Sequence, residues 1–226
     1  MKIAPSIIGL CFMLTSSLFA QTKSNSIPLI DNKDLAFVNV IAEEANYLGK
    51  NSLKVMEQGE SSEARFVTIK DLDFKSGSIE IDVVGKPAAG SSQGARGFVG
   101  VAFRINGDDS KFECFYLRPT NGRAEDQLRR NHSVQYISFP DYSWHKLRKE
   151  SPGKYESYVD MAPGEWIKLR LEIDGDLAKL FVHGNSQPTL IVNDLKHGSD
   201  SHGNIGLWIG PGTEAYFSNL VVTNTE

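Results

Sequence analysis

"GEWIKLRLEIDGDLAKLFVHG", residues 164 to 184, alternates apolar and polar side chains on both sides of a short turn signal. In an extended chain Ile167, Leu169, Leu171 and Ile173 fall on one face and Lys168, Arg170 and Glu172 on the other, the period of a half-buried strand. Asp174-Gly175 supplies the positive-φ turn that closes an antiparallel pair. On either side, short apolar runs recur between Gly, Pro, Asn and Asp clusters: "ARFVTI", "SIEIDVV", "GFVGVAFRI", "KFECFYLR", "NIGLWI" and "AYFSNLVV" among them. No long helical period and no internal repeat interrupts this rhythm, which predicts an all-β sandwich.

The chain opens on "MKIAPSIIGLCFMLTSSLFA", an early lysine followed by an apolar stretch and a small residue before Gln21. This predicts a signal peptide over residues 1–20 and a secreted or periplasmic protein. Leu10 stands before Cys11 where a lipid-anchor signal needs a small residue, so soluble export is the expectation. Residues 21–28, "QTKSNSIP", read as a polar, mobile lead-in, and residues 29–226 as one domain. Cys114 is the one cysteine beyond residue 20, so no internal disulfide is expected and stability must come from core burial. No later apolar run is long enough to span a membrane. The net charge of −4 and the lack of a nucleic-acid-binding signature exclude nucleic acid as the expected partner.

"FKSGSIEIDV", "GEWIKLRLEIDGDLAKLFVHG" and the closing "GNIGLWIGPGTEAYFSNLVV" resemble the concanavalin A-like lectin/glucanase superfamily over roughly residues 30 to 224. Within it the chain is similar to the laminin G-like and 3-keto-disaccharide hydrolase-type members. The resemblance implies a jelly-roll β-sandwich of two antiparallel sheets and an oligo- or polysaccharide partner. It leaves hydrolase, lyase and pure binding module open, because fold alone does not fix reaction. Family 16 glucanases of this superfamily carry three alternating carboxylates on one strand. Here Glu80 and Asp82 share a strand face, but Val84 and Gly85 follow, so a polar outer stripe is the simpler reading.

The richest candidate is "CFYLRPTNGRAEDQLRRNHSVQYISF", residues 114 to 139, where a loop expected to hold one helical turn divides two strands. From Arg118 to Lys149 seven Lys or Arg face three acids, a basic segment in an acidic chain. Guanidinium forks match carboxylate and sulfate oxygens, so Arg118, Asn121, Arg123, Gln127, Arg129 and Arg130 are candidate contacts to an anionic or oxidised sugar. Bracing of the loop by ion pairs to Glu125 and Asp126 is the competing account. Tyr142 and Trp144 are candidate platforms for sugar rings, or else core cover. Arg104 alternates with Val99, Val101, Phe103 and Ile105, so the period-two rule sends it to the polar face opposite the loop. His132 with Tyr136 is a candidate acid/base pair for β-elimination, and Glu156 a further acid. His145, His183, His197 and His202 show no ligand spacing, and neither a metal nor another cofactor is expected. A glycan-degrading enzyme is the leading expectation and a non-catalytic carbohydrate-binding module the alternative.

Overall fold

The computed structural model describes residues 23–31, 33–59 and 63–225. The signal peptide expected over residues 1–20 lies outside them. In chain order the strands are β1 (Lys23–Ile27), β2 (Leu35–Val38), β3 (Val40–Tyr47), β4 (Lys50–Glu57), β5 (Phe66–Phe74), β6 (Gly77–Pro87), β7 (Val99–Ile105) and β8 (Phe112–Leu117). Two short helices follow, α1 (Pro119–Gly122) and α2 (Gln127–Asn131), then β9 (Val134–Phe139), α3 (Trp144–Glu150) and β10 (Glu156–Ser157). The chain closes with β11 (Ile167–Asp174), β12 (Leu177–Val182), β13 (Leu190–Val192), β14 (Gly203–Ile209) and β15 (Thr213–Asn224). Two antiparallel sheets result, one ordered β13-β12-β11-β6-β15-β4-β3 with β1 beside β15, the other β10-β9-β8-β7-β14-β5-β2. This is the expected two-sheet sandwich.

The alternation read in residues 164 to 184 places Ile167, Leu169, Leu171 and Ile173 in the core between the sheets, with Ile79, Ile81 and Val83 of β6 beside them. The hairpin turn is Gly175-Asp176, with Gly175 at φ +58°. Glu80 and Asp82 point outward from the same sheet and pair with Lys168 and Lys50 at 2.8 and 2.7 Å, a polar outer stripe that lines a surface hollow with Trp166 and Asn219. Residues 23–27 are no loose lead-in: β15 is long enough to pair with β4 through one part of its length and with β1 through another. Backbone pairing along that edge overrides the polar composition.

The middle of the second sheet is covered on both faces, so every residue of β7 and β8 is buried. Its inner face joins the main core through Phe103, Phe115, Val134 and Tyr136. Its outer face carries a second apolar cluster of Phe66, Ala102, Ile105, Phe112, Cys114, Tyr116, Ile137 and Trp208.

Arg104 departs from the sequence reading. Its φ is +53°, and the register of β7 against β14 slips there, Ala102 facing Gly206 and Ile105 facing Asn204. This β-bulge resets the alternation, so Phe103 enters the inner core while Ile105 joins the outer cluster. Arg104 is consequently 1% exposed and faces no cleft. It donates to the carbonyls of Lys75 (3.0 and 2.7 Å), Gly175 (2.6 Å) and Gly198 (3.1 Å), tying three turns together.

Candidate functional site

One row of residues crosses the outer face of the second sheet: Phe66, Trp208, Gly100, Tyr116, Gln135 and Glu156, on β5, β14, β7, β8, β9 and β10. Gly100 leaves the middle of this row without a side chain. An added Cβ there would lie 2.1 Å from the Phe115 carbonyl oxygen and 2.6 Å from Tyr116 Cβ, so the close β7–β8 approach requires glycine. Tyr116 and Trp208 tilt together across the gap with ring centroids 4.8 Å apart, and Phe98 meets the Tyr116 ring edge-on at 6.1 Å. These rings line an open cleft of about 720 Å³.

The wall comes from the loop between β8 and β9 and from α3. Pro119 starts α1, and Gly122 abuts Met161 so closely that a Cβ would meet it at 2.5 Å. Asp126 caps α2 by accepting the Arg129 backbone N–H at 2.8 Å, and Ser143 caps α3 by accepting that of Lys146. Leu147 anchors α3 in the core, which presents Trp144 to the cleft and turns Arg148 inward.

Glu156 is the hub behind this wall. Its side chain is 2% exposed, and Arg148 grips both carboxylate oxygens through Nε at 3.1 and 3.0 Å and through Nη2. Arg118 Nη1 lies 3.7 Å from the same carboxylate. Arg118 also donates to the His132 carbonyl (2.9 Å), the Tyr116 hydroxyl (2.8 Å) and Gln135 Oε1 (3.2 Å). Its guanidinium lies over the Tyr116 ring at 5.0 Å, and that of Arg148 over Trp144 at 4.8 Å. His132 Nδ1 sits 3.0 Å from Glu156 Oε2, off the line of a good hydrogen bond. Burial lowers the imidazole's proton affinity below its usual value; Glu156 opposes that shift, and Arg148 and Arg118 reinforce it. His132 therefore presents a neutral ring at pH 7.

Of the residues singled out in the sequence, Arg118, Asn121, Arg129, His132 and Trp144 line the cleft, with Glu156 behind them. Tyr136 does not: it is fully buried in the inter-sheet core, its hydroxyl bonded to the buried Glu113 carboxylate and to the Lys196 N–H. Burial, then the Glu113 charge, raises its pKa well above the usual phenol value, which removes it as a proton carrier for the cleft. Period two explains this, since neighbours Gln135 and Tyr136 face opposite sides. Arg123 pairs outside with Asp160 at 3.0 Å, Gln127 with Asn131 at 2.8 Å, and Arg130 with the Tyr158 hydroxyl at 2.7 Å. Tyr142 packs against the core beneath Lys146 and Lys196. Cleft residues missed by the sequence reading are Arg96, Phe98, Tyr116, Trp208 and Arg148. The alternation in "FECFYLR" contained the signal for Tyr116; nothing local marked Arg96.

No family model and no curated protein matches the sequence. Among solved structures, a protein of unknown function with a galectin-like fold from Bacillus subtilis superposes with a TM-score of 0.55 at 11% identity, covering 91% of this chain and 100% of its own. The fold is thus a galectin-like jelly roll. The carbohydrate binding module CBM66 from Bacillus subtilis superposes with a TM-score of 0.51 at 13% identity, covering 82% of this chain and 96% of that one. At such identities the likeness concerns the jelly roll alone.

Proposed function

We propose that this jelly roll is an exported carbohydrate-binding protein that seats an oligo- or polysaccharide bearing an acidic or oxidised sugar in the cleft above Tyr116 and Trp208. The observation that carries the reading is the pairing of an aromatic floor with a wall of guanidiniums in one open cleft. Sugars offer apolar ring faces to aromatic side chains and oxygens to fork-shaped donors. The shared fold with a carbohydrate binding module supports it. Binding is favoured over hydrolysis because Glu156 is enclosed by Arg148 and Arg118, whereas a retaining glycosidase needs two carboxyl groups flanking the bond.

Titration against a panel of neutral, uronic and 3-keto glycans is expected to yield at least one ligand. Trp144→Ala and Phe98→Ala, which remove the cleft aromatics that keep free surface, should each weaken it by about 1–3 kcal/mol, the range for burying a large side chain against a ligand. Wild-type affinity in both variants would place the sugar elsewhere. For the exported form, N-terminal sequencing is expected to find a start near Gln21; recovery of Met1 in extracytoplasmic material would refute cleavage there, and recovery of the protein in the cytoplasm alone would refute export.

A second reading rests on the neutral His132 beside Glu156. As a base it would take the proton α to a uronate carboxyl group, the C–O bond at the β-carbon would break, and the leaving oxygen would be protonated from solvent. His132→Ala would then retain binding while losing turnover about 10²-fold, followed through the absorbance of the unsaturated product. A wild-type protein that binds uronic glycans without forming that product is a binding protein only.

A further inference from the structure

We infer that Arg96 and Arg129 form the seat for an acidic group on the bound glycan, a carboxylate or a sulfate ester, and so set a preference for charged over neutral sugars; this rests on the glycan reading above. The four guanidiniums of the cleft fall into two pairs. Arg118 and Arg148 are committed to Glu156, whose single negative charge offsets one of the two. Among the described residues neither Arg96 nor Arg129 makes an ion pair through its guanidinium. Arg96 uses Nη1 on the carbonyls of Gln93 (2.6 Å) and Ala95 (3.1 Å), which leaves Nε and Nη2. Arg129 uses Nε on Asn121 Oδ1 (2.9 Å) and Nη2 on the carbonyl and hydroxyl oxygens of Thr120 (3.3 and 3.1 Å), which leaves Nη1.

Thr120 brackets the two, since its own N–H donates to the Arg96 carbonyl at 3.3 Å. Both guanidiniums are thus fixed by neutral groups, and both line the same cleft with unused N–H donors. Burial, then the charges of Arg129 and Arg118, lowers the pKa of Arg96, as expected where like charges share one cleft. Guanidinium does not deprotonate in proteins, so a bound anion would ease the repulsion. Of the acids that also line the cleft, Asp126 caps α2 and Glu63 is exposed, and among the described residues neither carboxylate is paired with the guanidinium of Arg96 or Arg129. Charge on the glycan is therefore read at Arg96 and Arg129, and ring shape at Trp144 and Phe98 over the Tyr116–Trp208 floor.

The test is calorimetric titration of the wild type, Arg96→Gln, Arg129→Gln and the charge-keeping Arg96→Lys with three probes: an oligogalacturonide, its carboxyl-reduced neutral counterpart and a sulfated oligosaccharide. The wild type is expected to prefer a charged probe, and whichever charged probe wins separates carboxylate from sulfate. Each Gln variant should weaken that probe by about 10- to 100-fold, the worth of a charge-assisted contact, and leave the neutral one unchanged. Arg96→Lys should lie between them. Equal wild-type affinity for charged and neutral probes overturns the inference and the acidic part of the glycan reading while leaving a glycan-binding cleft, and a charge preference that both Gln variants retain overturns the inference alone. Equal weakening of charged and neutral probes also counts against it, because the arginines then only brace the wall. If the wild type binds no glycan at all, the function reading fails and the inference with it.

Discussion

Arg104→Leu is expected to lose about 3–5 kcal/mol of folding stability, the range for breaking a buried charged network. Leucine fits the apolar surroundings of β7 but donates nothing, so the carbonyls of Lys75, Gly175 and Gly198 would lose their guanidinium donors. Each buried carbonyl left without a donor costs about 1–3 kcal/mol. The three turns belong to the β5–β6, β11–β12 and β13–β14 connections, so losing the tie loosens one end of the sandwich. Glu113 lies close enough to raise the Arg104 pKa against the effect of burial, and would lose that favourable interaction as well. Out of a total of about 5–15 kcal/mol for a domain, such a loss is a large fraction. Chemical denaturation measures it, and Arg104→Lys should recover part, since an ammonium reaches fewer of the three acceptors. An unchanged midpoint in Arg104→Leu would mean that Arg104 points to solvent, as simple strand alternation has it.

The second large effect is expected at Glu156. Glu156→Ala removes the one carboxylate between Arg118 and Arg148 and leaves the Arg118 side chain, 7% exposed, without a counter-ion. Removing one partner of a buried ion pair costs about 3–5 kcal/mol. The damage should reach the cleft, because Arg148 ties α3 to β10 and α3 carries Trp144. Loss of stability and loss of glycan affinity are therefore expected together. Glu156→Gln keeps the shape and one acceptor and should fall between wild type and alanine. In an Arg148→Met, Glu156→Ala double variant part of the loss should return, since one stranded cation goes with the acid. Strict additivity of the two single losses in that cycle would show that the pair does not interact, and the hub would have to be sought elsewhere.

The sequence carried the architecture because its information is local. Ile167, Leu169, Leu171 and Ile173 declare a buried face through a period that needs no knowledge of the rest of the chain, and Gly175 closes the hairpin with a φ of +58°. The same rule applied to Glu80 and Asp82 correctly kept them on an outer stripe. It failed at Arg104, where a bulge adds one residue and exchanges the faces beyond it; no side chain in "GFVGVAFRI" announces that irregularity. It was available and unused at Tyr136, whose neighbour Gln135 takes the cleft side of β9.

The loop from Pro119 to His132 was legible as functional by composition, yet which arginines face the cleft was not. Arg118 and Arg129 turn in while Arg123 and Arg130 find Asp160 and Tyr158 outside, a choice made by partners about thirty to forty positions away. By itself the sequence determined an all-β sandwich and a basic, aromatic segment within it, since both are properties of neighbouring residues. Only the tertiary structure set Trp208 beside Tyr116, Arg96 near Arg129 and Glu156 beneath His132, because sheet order and helix docking join segments that share no local pattern.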